Sequence, residues 1–156
     1  MEYEGYLTRE ELLDRVEKHF PFVKRPSVRE LYVFDENDVM RKIIEPSLSK
    51  YTDAELPYGG VMILYSEFST ISQKAAEWMF PSLLRIVVRG TDKSNCLHWC
   101  LPSYFENMDF SVADSAYNFS WLSGSQLLVL QNVLEYLSEE YGVSTAEAQY
   151  RLSTLE

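Results

Sequence analysis

The sequence predicts an all-α fold, or a mainly α fold with at most a short hairpin. Capping-box patterns that start helices recur along the 156 residues, and apolar residues follow them at steps of three and four. The composition is 46% hydrophobic and 14% aromatic, which separates the chain from disordered proteins. A chain of this length is expected to form one domain, residues 1–156, as a compact helical bundle with one long amphipathic helix near the C-terminus.

The N-terminal segment predicts an amphipathic helix with clear ends. Residues 8–11 form a capping box, in which a threonine hydroxyl and a glutamate carboxylate bind each other's backbone amides. Leu12, Val16 and Phe20 then share one helical face, and Pro21 should end the helix.

Two further helix starts follow before the middle of the chain. Residues 27–30 repeat the box pattern and predict a short helix or turn. Residues 35–38 predict the start of a helix that carries apolar residues at helical spacing until Pro46 interrupts it. These apolar residues are Val39, Met40, Ile43 and Ile44.

The middle of the chain is less regular in its signals. Residues 52–55 form another box, which Pro57 and the Gly59-Gly60 pair should limit to a turn. The apolar run 61–65 is consistent with a buried strand or a buried helix, because five residues do not distinguish the two periods.

A long helical pattern follows. Residues 70–73 predict a cap for a helix that reaches Val87 and ends at Gly90. Pro81 lies inside the pattern and should kink or split the helix.

The C-terminal third contains the clearest helix and the least regular segment. A capping box at residues 123–126 opens a helix with apolar steps of three and four, which Gly142 should end. Residues 144–147 start a final short helix. The aromatic-rich stretch 94–120 is interpreted as loop-dominated with short helical turns.

Charge and composition exclude several classes of function. The net charge of −10 and a pI near 4.7 argue against binding nucleic acid or an anionic membrane surface. No apolar run approaches the roughly 18–20 residues of a membrane span, and the N-terminus lacks an apolar signal core. Two cysteines are too few for a disulfide scaffold, so we expect a cytoplasmic protein with reduced, buried thiols.

The charge is distributed unevenly along the chain. From Ser94 to Tyr150 there is no lysine or arginine, while the same 57 residues contain seven acids. Such a stretch forgoes the ion pairs that stabilise helices and suggests a surface suited to a basic protein partner. The residues predicted to bind that partner, with the acids as charge pairs and the aromatics as anchors, are Tyr104, Phe105, Glu106, Asp109, Asp114, Trp121, Glu135 and Glu139.

One group of residues resembles a metal site or a nucleophile–base pair. On a strand, Cys96, His98 and Cys100 would point the same way, and each is a zinc ligand type. The fourth ligand and the paired-cysteine spacing are missing, and near neighbours in sequence rarely form a catalytic dyad. A partly buried core cluster is therefore favoured, with no catalytic residue, metal or cofactor expected.

Three segments are similar to a family of small bacterial helical proteins. The shared features are a histidine–phenylalanine step before a proline loop, an aromatic segment with Pro81, and a C-terminal helix of Leu-Ser-x-x-Gln type. The resemblance implies a bacterial, helical, single-domain protein, and the family has no established activity to transfer. The matching stretches are residues 19–23, 72–84 and 122–137.

The favoured hypothesis is an acidic binding protein, not an enzyme. It would neutralise a basic macromolecular partner by occlusion, as a bacterial immunity protein or antitoxin does with its cognate toxin. An adaptor or regulatory module of a larger assembly is the first alternative. A small enzyme with a site near Cys96, His98 and Cys100 is the second. The oligomeric state stays open.

Overall fold

The computed structural model describes residues 7–90 and 95–155, and these form seven α-helices, one short 3₁₀ turn and no β-strand. This confirms the all-α prediction. The helices are α1 (Arg9–His19), α2 (Val39–Leu48), α3 (Tyr58–Ser66), α4 (Gln73–Arg89), α5 (Asn95–Glu106), α6 (Gly124–Tyr141) and α7 (Ala146–Ser153). Within the described ranges, no helix combines the length and apolar character that a membrane span requires.

The described residues group into two compact units that alternate along the chain. The first unit comprises residues 7–21, 84–108 and 120–155, and the second comprises residues 22–83 and 109–119. Helix α4 contributes residues to both. Each unit is described below by itself.

The first unit is organised around α6. The middle of α6 is buried on all sides, since residues 129–134 are all buried, and α1, α5 and α7 all contact this helix. Polar bonds fix two of these contacts: the Gln126 side-chain amide donates to the His19 carbonyl at 3.1 Å, and Gln131 donates to the Gln149 carbonyl at 2.8 Å. Phe20 packs edge-on against the Trp121 ring, with ring centroids 6.4 Å apart. The side chains of α1, α5 and α7 therefore share one apolar core with α6.

The second unit packs α2 and α3 together and places aromatic rings beside α4. The ring of Phe80 in α4 packs edge-on against Phe119, with ring centroids 5.6 Å apart. The ring of Phe68 packs edge-on against Tyr117, with ring centroids 4.8 Å apart. The Trp78 indole N–H donates to the Asp53 carbonyl at 3.1 Å. These contacts fix the non-helical residues 109–119 to the helices of their own unit.

Local capping chemistry explains where the best-predicted helices begin and end. Thr8 and Glu11 form the expected capping box at α1, and Ser123 and Gln126 form the expected box at α6. At the other end of α6, Gly142 adopts a left-handed conformation with φ of +66°, and its amide donates to carbonyls of the last turn. Residues 28–30 form the short turn predicted after Ser27.

Pro46 and Pro81 lie inside helices. Helix α2 continues through Pro46 to Leu48, so the predicted interruption is wrong, and α4 runs past Pro81 without being split. Residues 52–55 form no helix, as predicted, and the run 61–65 belongs to helix α3, one of its two expected forms. Helix propensity is a weak local preference that tertiary packing overrides. The side chains that these segments bury include Leu48, Val61, Leu64 and Leu83, all with no exposed surface.

The interpretation of residues 94–120 as loop-dominated is wrong for the first half of the stretch. Ser94 lies outside the described residues. From Asn95 to Glu106 the chain forms a helix, not the expected loop, and only residues 107–119 are irregular. Leu97, Leu101 and Phe105 are buried at helical spacing, and Pro102 is accommodated inside the helix.

Two glycines with positive φ give a matched test of packing near Tyr141. Gly90 and Gly142 have φ of +67° and +66°, so an alanine at either position is strained by about 1–2 kcal/mol. A β-carbon at Gly90 would also press into the Tyr141 hydroxyl, whereas one at Gly142 meets nothing within 4 Å. Because Tyr141 stacks on His98, it cannot move away without loss.

We therefore expect Gly90→Ala to lower the free energy of unfolding by about 1–3 kcal/mol more than Gly142→Ala does. Urea unfolding followed by circular dichroism measures the difference. Equal losses would show that the Tyr141 ring moves without cost.

Candidate partner-binding surface

The predicted site residues of the first unit fall into an exposed acidic group and a buried aromatic group. On α6, Glu139 and Glu140 are exposed and Glu135 is half-buried, on the side opposite the core. The capping box at Ser123 and the glycine stop at Gly142 fix the helix ends, so the two exposed glutamates belong to the last turn.

The end of α6 carries an unfavourable concentration of negative charge. The last turn contains no basic residue, although the carbonyl end of a helix is itself partly negative. Among residues 7–90 and 95–155, the ion pairs recorded join Arg41 to Glu45, Lys74 to Glu30 and Arg151 to Glu147, and none involves Glu139. Glutamates at a helix C-terminus cost rather than contribute stability, by a few tenths of a kcal/mol each.

Glu106 is the last residue of α5 and lies away from the α6 glutamates. His98, near the start of α5, stacks on Tyr141 at the end of α6 with ring centroids 4.2 Å apart. Eight residues separate His98 from Glu106, which is about 12 Å of helix. Glu106 therefore does not join the carboxylates at the end of α6.

Tyr104 and Phe105 are corrected from surface anchors to core residues. They are 3% and 0% exposed, on the same face of α5 as Leu97 and Leu101. A helical period places both rings inside the unit, so they are not available to a partner. Trp121 is half-buried, with Phe20 edge-on against its ring.

Two exposed aromatic side chains on α5 and α7 were missed by sequence reasoning. Trp99 is 60% exposed and Tyr150 is 66% exposed, and the two helices pack against each other in the first unit. Exposed tryptophan and tyrosine are the side chains most often found as binding hot spots. The helical register of α5 would have shown Trp99 on the outer face, had this helix been predicted.

Asp109 and Asp114 belong to the second unit and are exposed. The Asp109 carboxylate accepts hydrogen bonds from the Ser111 hydroxyl at 2.6 Å and the Ser111 amide at 2.8 Å, and these bonds hold the pKa of Asp109 below its ordinary value. The backbone carbonyl of Asp114 accepts from the Gln73 amide at 2.9 Å. Both residues stabilise the irregular segment 109–119, so we treat them apart from the α6 surface.

The Cys96–His98–Cys100 group does not assemble as a strand would arrange it. On a helix the two cysteines share one face, with sulfur atoms 4.0 Å apart, and His98 points to the opposite, buried side. Cys96 is exposed and Cys100 half-buried, which corrects the expectation of buried thiols. The described residues contain no group of three or more potential metal ligands.

His98 has a structural role in the core. Its Nε2–H donates to the Val87 carbonyl at 2.9 Å, and burial lowers the pKa of the imidazole below 6.5, opposed by that hydrogen bond. The Nε2 atom is thus committed to a carbonyl on the core side, and the helical spacing places the imidazole on the side of α5 away from the two thiols.

Helix α2 of the second unit buries a charged residue and exposes two apolar ones. Arg41 is buried on the same face as Ile44 and Leu48, while Val39 and Ile43 are 69% and 63% exposed. The Arg41 guanidinium lies 4.9 Å from the centroid of the Tyr32 ring and pairs with Glu45 at 3.7 Å. No sequence signal distinguishes this orientation from the ordinary one.

Comparison with protein-family models, with curated proteins and with solved structures finds no match for this chain. The resemblance to small bacterial helical proteins stays a prediction. The functional assignment therefore depends on the geometry of the chain alone.

The lowered pKa of His98 predicts a pH dependence of stability. The folded protein takes up a proton on the imidazole at a lower pH than the unfolded chain does, because burial lowers the pKa of His98 below its ordinary value of 6.5. Stability from this residue is thus present above pH 6.5 and is lost as the pH falls towards 5, no more steeply than about 1.4 kcal/mol per pH unit.

His98→Gln should remove this component, because glutamine does not titrate. Its side-chain amide can still donate to the Val87 carbonyl, so the hydrogen bond is kept. Urea unfolding at pH 7, 6 and 5 measures both proteins. Parallel profiles for the wild type and His98→Gln would contradict the prediction.

Proposed function

We propose that this chain is an acidic binding protein that neutralises a basic macromolecular partner by occlusion, as a bacterial immunity protein or antitoxin does with its cognate toxin. The observation that carries the proposal is the end of α6, where Glu139 and Glu140 extend the negative end of the helix dipole without a basic residue in the same turn. Selection for folding alone would favour lysine or arginine there.

The net charge supports the same proposal. A net charge of −10 produces a negative field around a small protein, and such a field raises the association rate with a basic partner. Charge steering sets the rate and orientation of encounter, while affinity depends on a few well-packed aromatic side chains. Trp99 and Tyr150 are the exposed aromatics of the first unit that could fill this role.

The proposed binding surface therefore differs from the one predicted from sequence. It retains Glu135 and Glu139, adds Glu140, and replaces the buried rings of Tyr104 and Phe105 by Trp99 and Tyr150. Occlusion would follow from size: an interface of ordinary extent covers about 800 Å² on each partner, which suffices to cover an active-site cleft.

The glutamates at the end of α6 permit a test in which stability and binding change in opposite directions. We expect Glu139→Lys with Glu140→Lys to raise the free energy of unfolding by about 0.3–1 kcal/mol per site, because cations favour a helix C-terminus. The same variant should associate with the basic partner at least about tenfold more slowly at low salt. Stopped-flow association against a partner captured from the source cells and then purified measures the rate.

A matched control has the same net charge as this variant but carries its two substitutions on a different helix. Asp14→Lys with Glu17→Lys alters two exposed acids on α1 by the same total charge. This control should retain most of the wild-type association rate. An association rate that does not fall as ionic strength rises, or a captured partner that is not basic, would refute the proposal.

An adaptor module of a larger assembly is the second candidate function, favoured by the exposed apolar residues of α2. Val39 and Ile43 present apolar surface that a partner protein would cover. Ile43→Asp should then abolish incorporation into the assembly in pull-down experiments. Because Ile43 contributes little to the core, its free energy of unfolding should stay within about 0.5 kcal/mol of wild type. Full incorporation of the variant would remove this candidate.

A further inference from the structure

The two cysteines of α5 form an accessible dithiol. Cys96 and Cys100 are one helical turn apart, neither is in a disulfide, and their sulfur atoms lie 4.0 Å from each other. Cys96 is exposed and Cys100 is half-buried, so both can be reached from solvent.

The spacing of these thiols does not suit a disulfide. Residues four apart on a helix have β-carbons about 5–6 Å apart, whereas a disulfide requires about 3.5–4.5 Å. Closing the bond would therefore distort α5, whose opposite face buries Leu97, His98 and Leu101. The helix keeps the sulfurs close without joining them.

The same spacing suits a cation held between the sulfurs. With a metal–sulfur distance of about 2.3 Å, two sulfurs 4.0 Å apart bind one cation at an S–metal–S angle of about 120°. Small side-chain rotations can open this angle further. The backbone of α5 need not move.

The number and type of the ligands determine which cation is suited to the site. A structural zinc ion takes four ligands, and the part of the chain that the structure describes brings no third ligand to this pair. Thiolates favour soft cations such as copper(I). We propose that Cys96 and Cys100 form a two-thiolate site for a soft cation of low coordination number, of which copper(I) is the type.

The binding step is balanced and is favoured by the charge of the protein. Two thiols each release one proton, two sulfur–copper bonds form, and the product Cu(SR)₂ carries a single negative charge with no change in oxidation state. The net charge of −10 concentrates cations near the surface. Trp99 lies between the two cysteines in sequence and is exposed, so its fluorescence provides a local signal of occupancy.

The test uses the reduced full chain under anaerobic conditions and copper(I) supplied as its bicinchoninate complex. The wild type should remove one copper ion per chain from the chromophore, with quenching of Trp99 fluorescence, and native mass spectrometry should show a monomer with one copper. Cys96→Ser and Cys100→Ser should each weaken binding by about 100-fold or more, because the second thiolate no longer binds within the same molecule.

A second variant separates spacing from thiol count. Cys100→Ser combined with Ser103→Cys keeps two thiols on one face of α5 but places them two turns, about 10 Å, apart. It should bind copper no more tightly than Cys100→Ser alone. Wild-type affinity in this variant, one copper per thiol, or a copper-bridged dimer of the wild type would overturn the proposal. Circular dichroism confirms that each variant is folded.

Discussion

Burial of the middle of α6 is the constraint on which the first unit depends. Leu130, Val133 and Leu134 have no exposed surface, and α1, α5 and α7 each contact this helix. Residues 129–134 are all buried, so the exposed residues of α6 are confined to its ends. Glu139 and Glu140 lie in the last turn, beyond the buried part, so the acidic surface begins where the apolar core ends.

The predictable part of the fold is the part specified by local chemistry. The boxes at Thr8 and Ser123 and the glycine at Gly142 satisfy backbone groups that every helix end leaves open, so the sequence identifies these ends correctly. Helix α5 has no such start signal within its described residues and contains Pro102. Its burial pattern is helical, yet the proline and scattered polar residues conceal that period in the sequence.

Side-chain orientation was much harder to predict than helix position. Tyr104 and Phe105 belong to a segment rich in aromatics, and composition alone cannot show which rings turn inward and which, like Trp99, turn outward. Helix α2 is the stronger case, because its start at Asp38 is predicted correctly, yet only Ile44 of its four predicted apolar residues is buried. The Tyr32 ring that holds the Arg41 guanidinium comes from outside the helix, so no pattern within α2 encodes that contact.

The secondary structure of α5 determines what chemistry its residues can perform. On a strand, Cys96, His98 and Cys100 would share one face as three ligands of the zinc type. On a helix the same spacing sends the imidazole into the core and leaves the two thiols on the other side of α5, which changes the preferred cation from four-coordinate zinc to a soft cation of low coordination number. Trp99 lies between the two cysteines in sequence and also belongs to the proposed binding surface, so mutation alone does not separate the two interactions. Salt does separate them, since screening weakens the attraction of a basic partner but leaves sulfur–metal bonds intact.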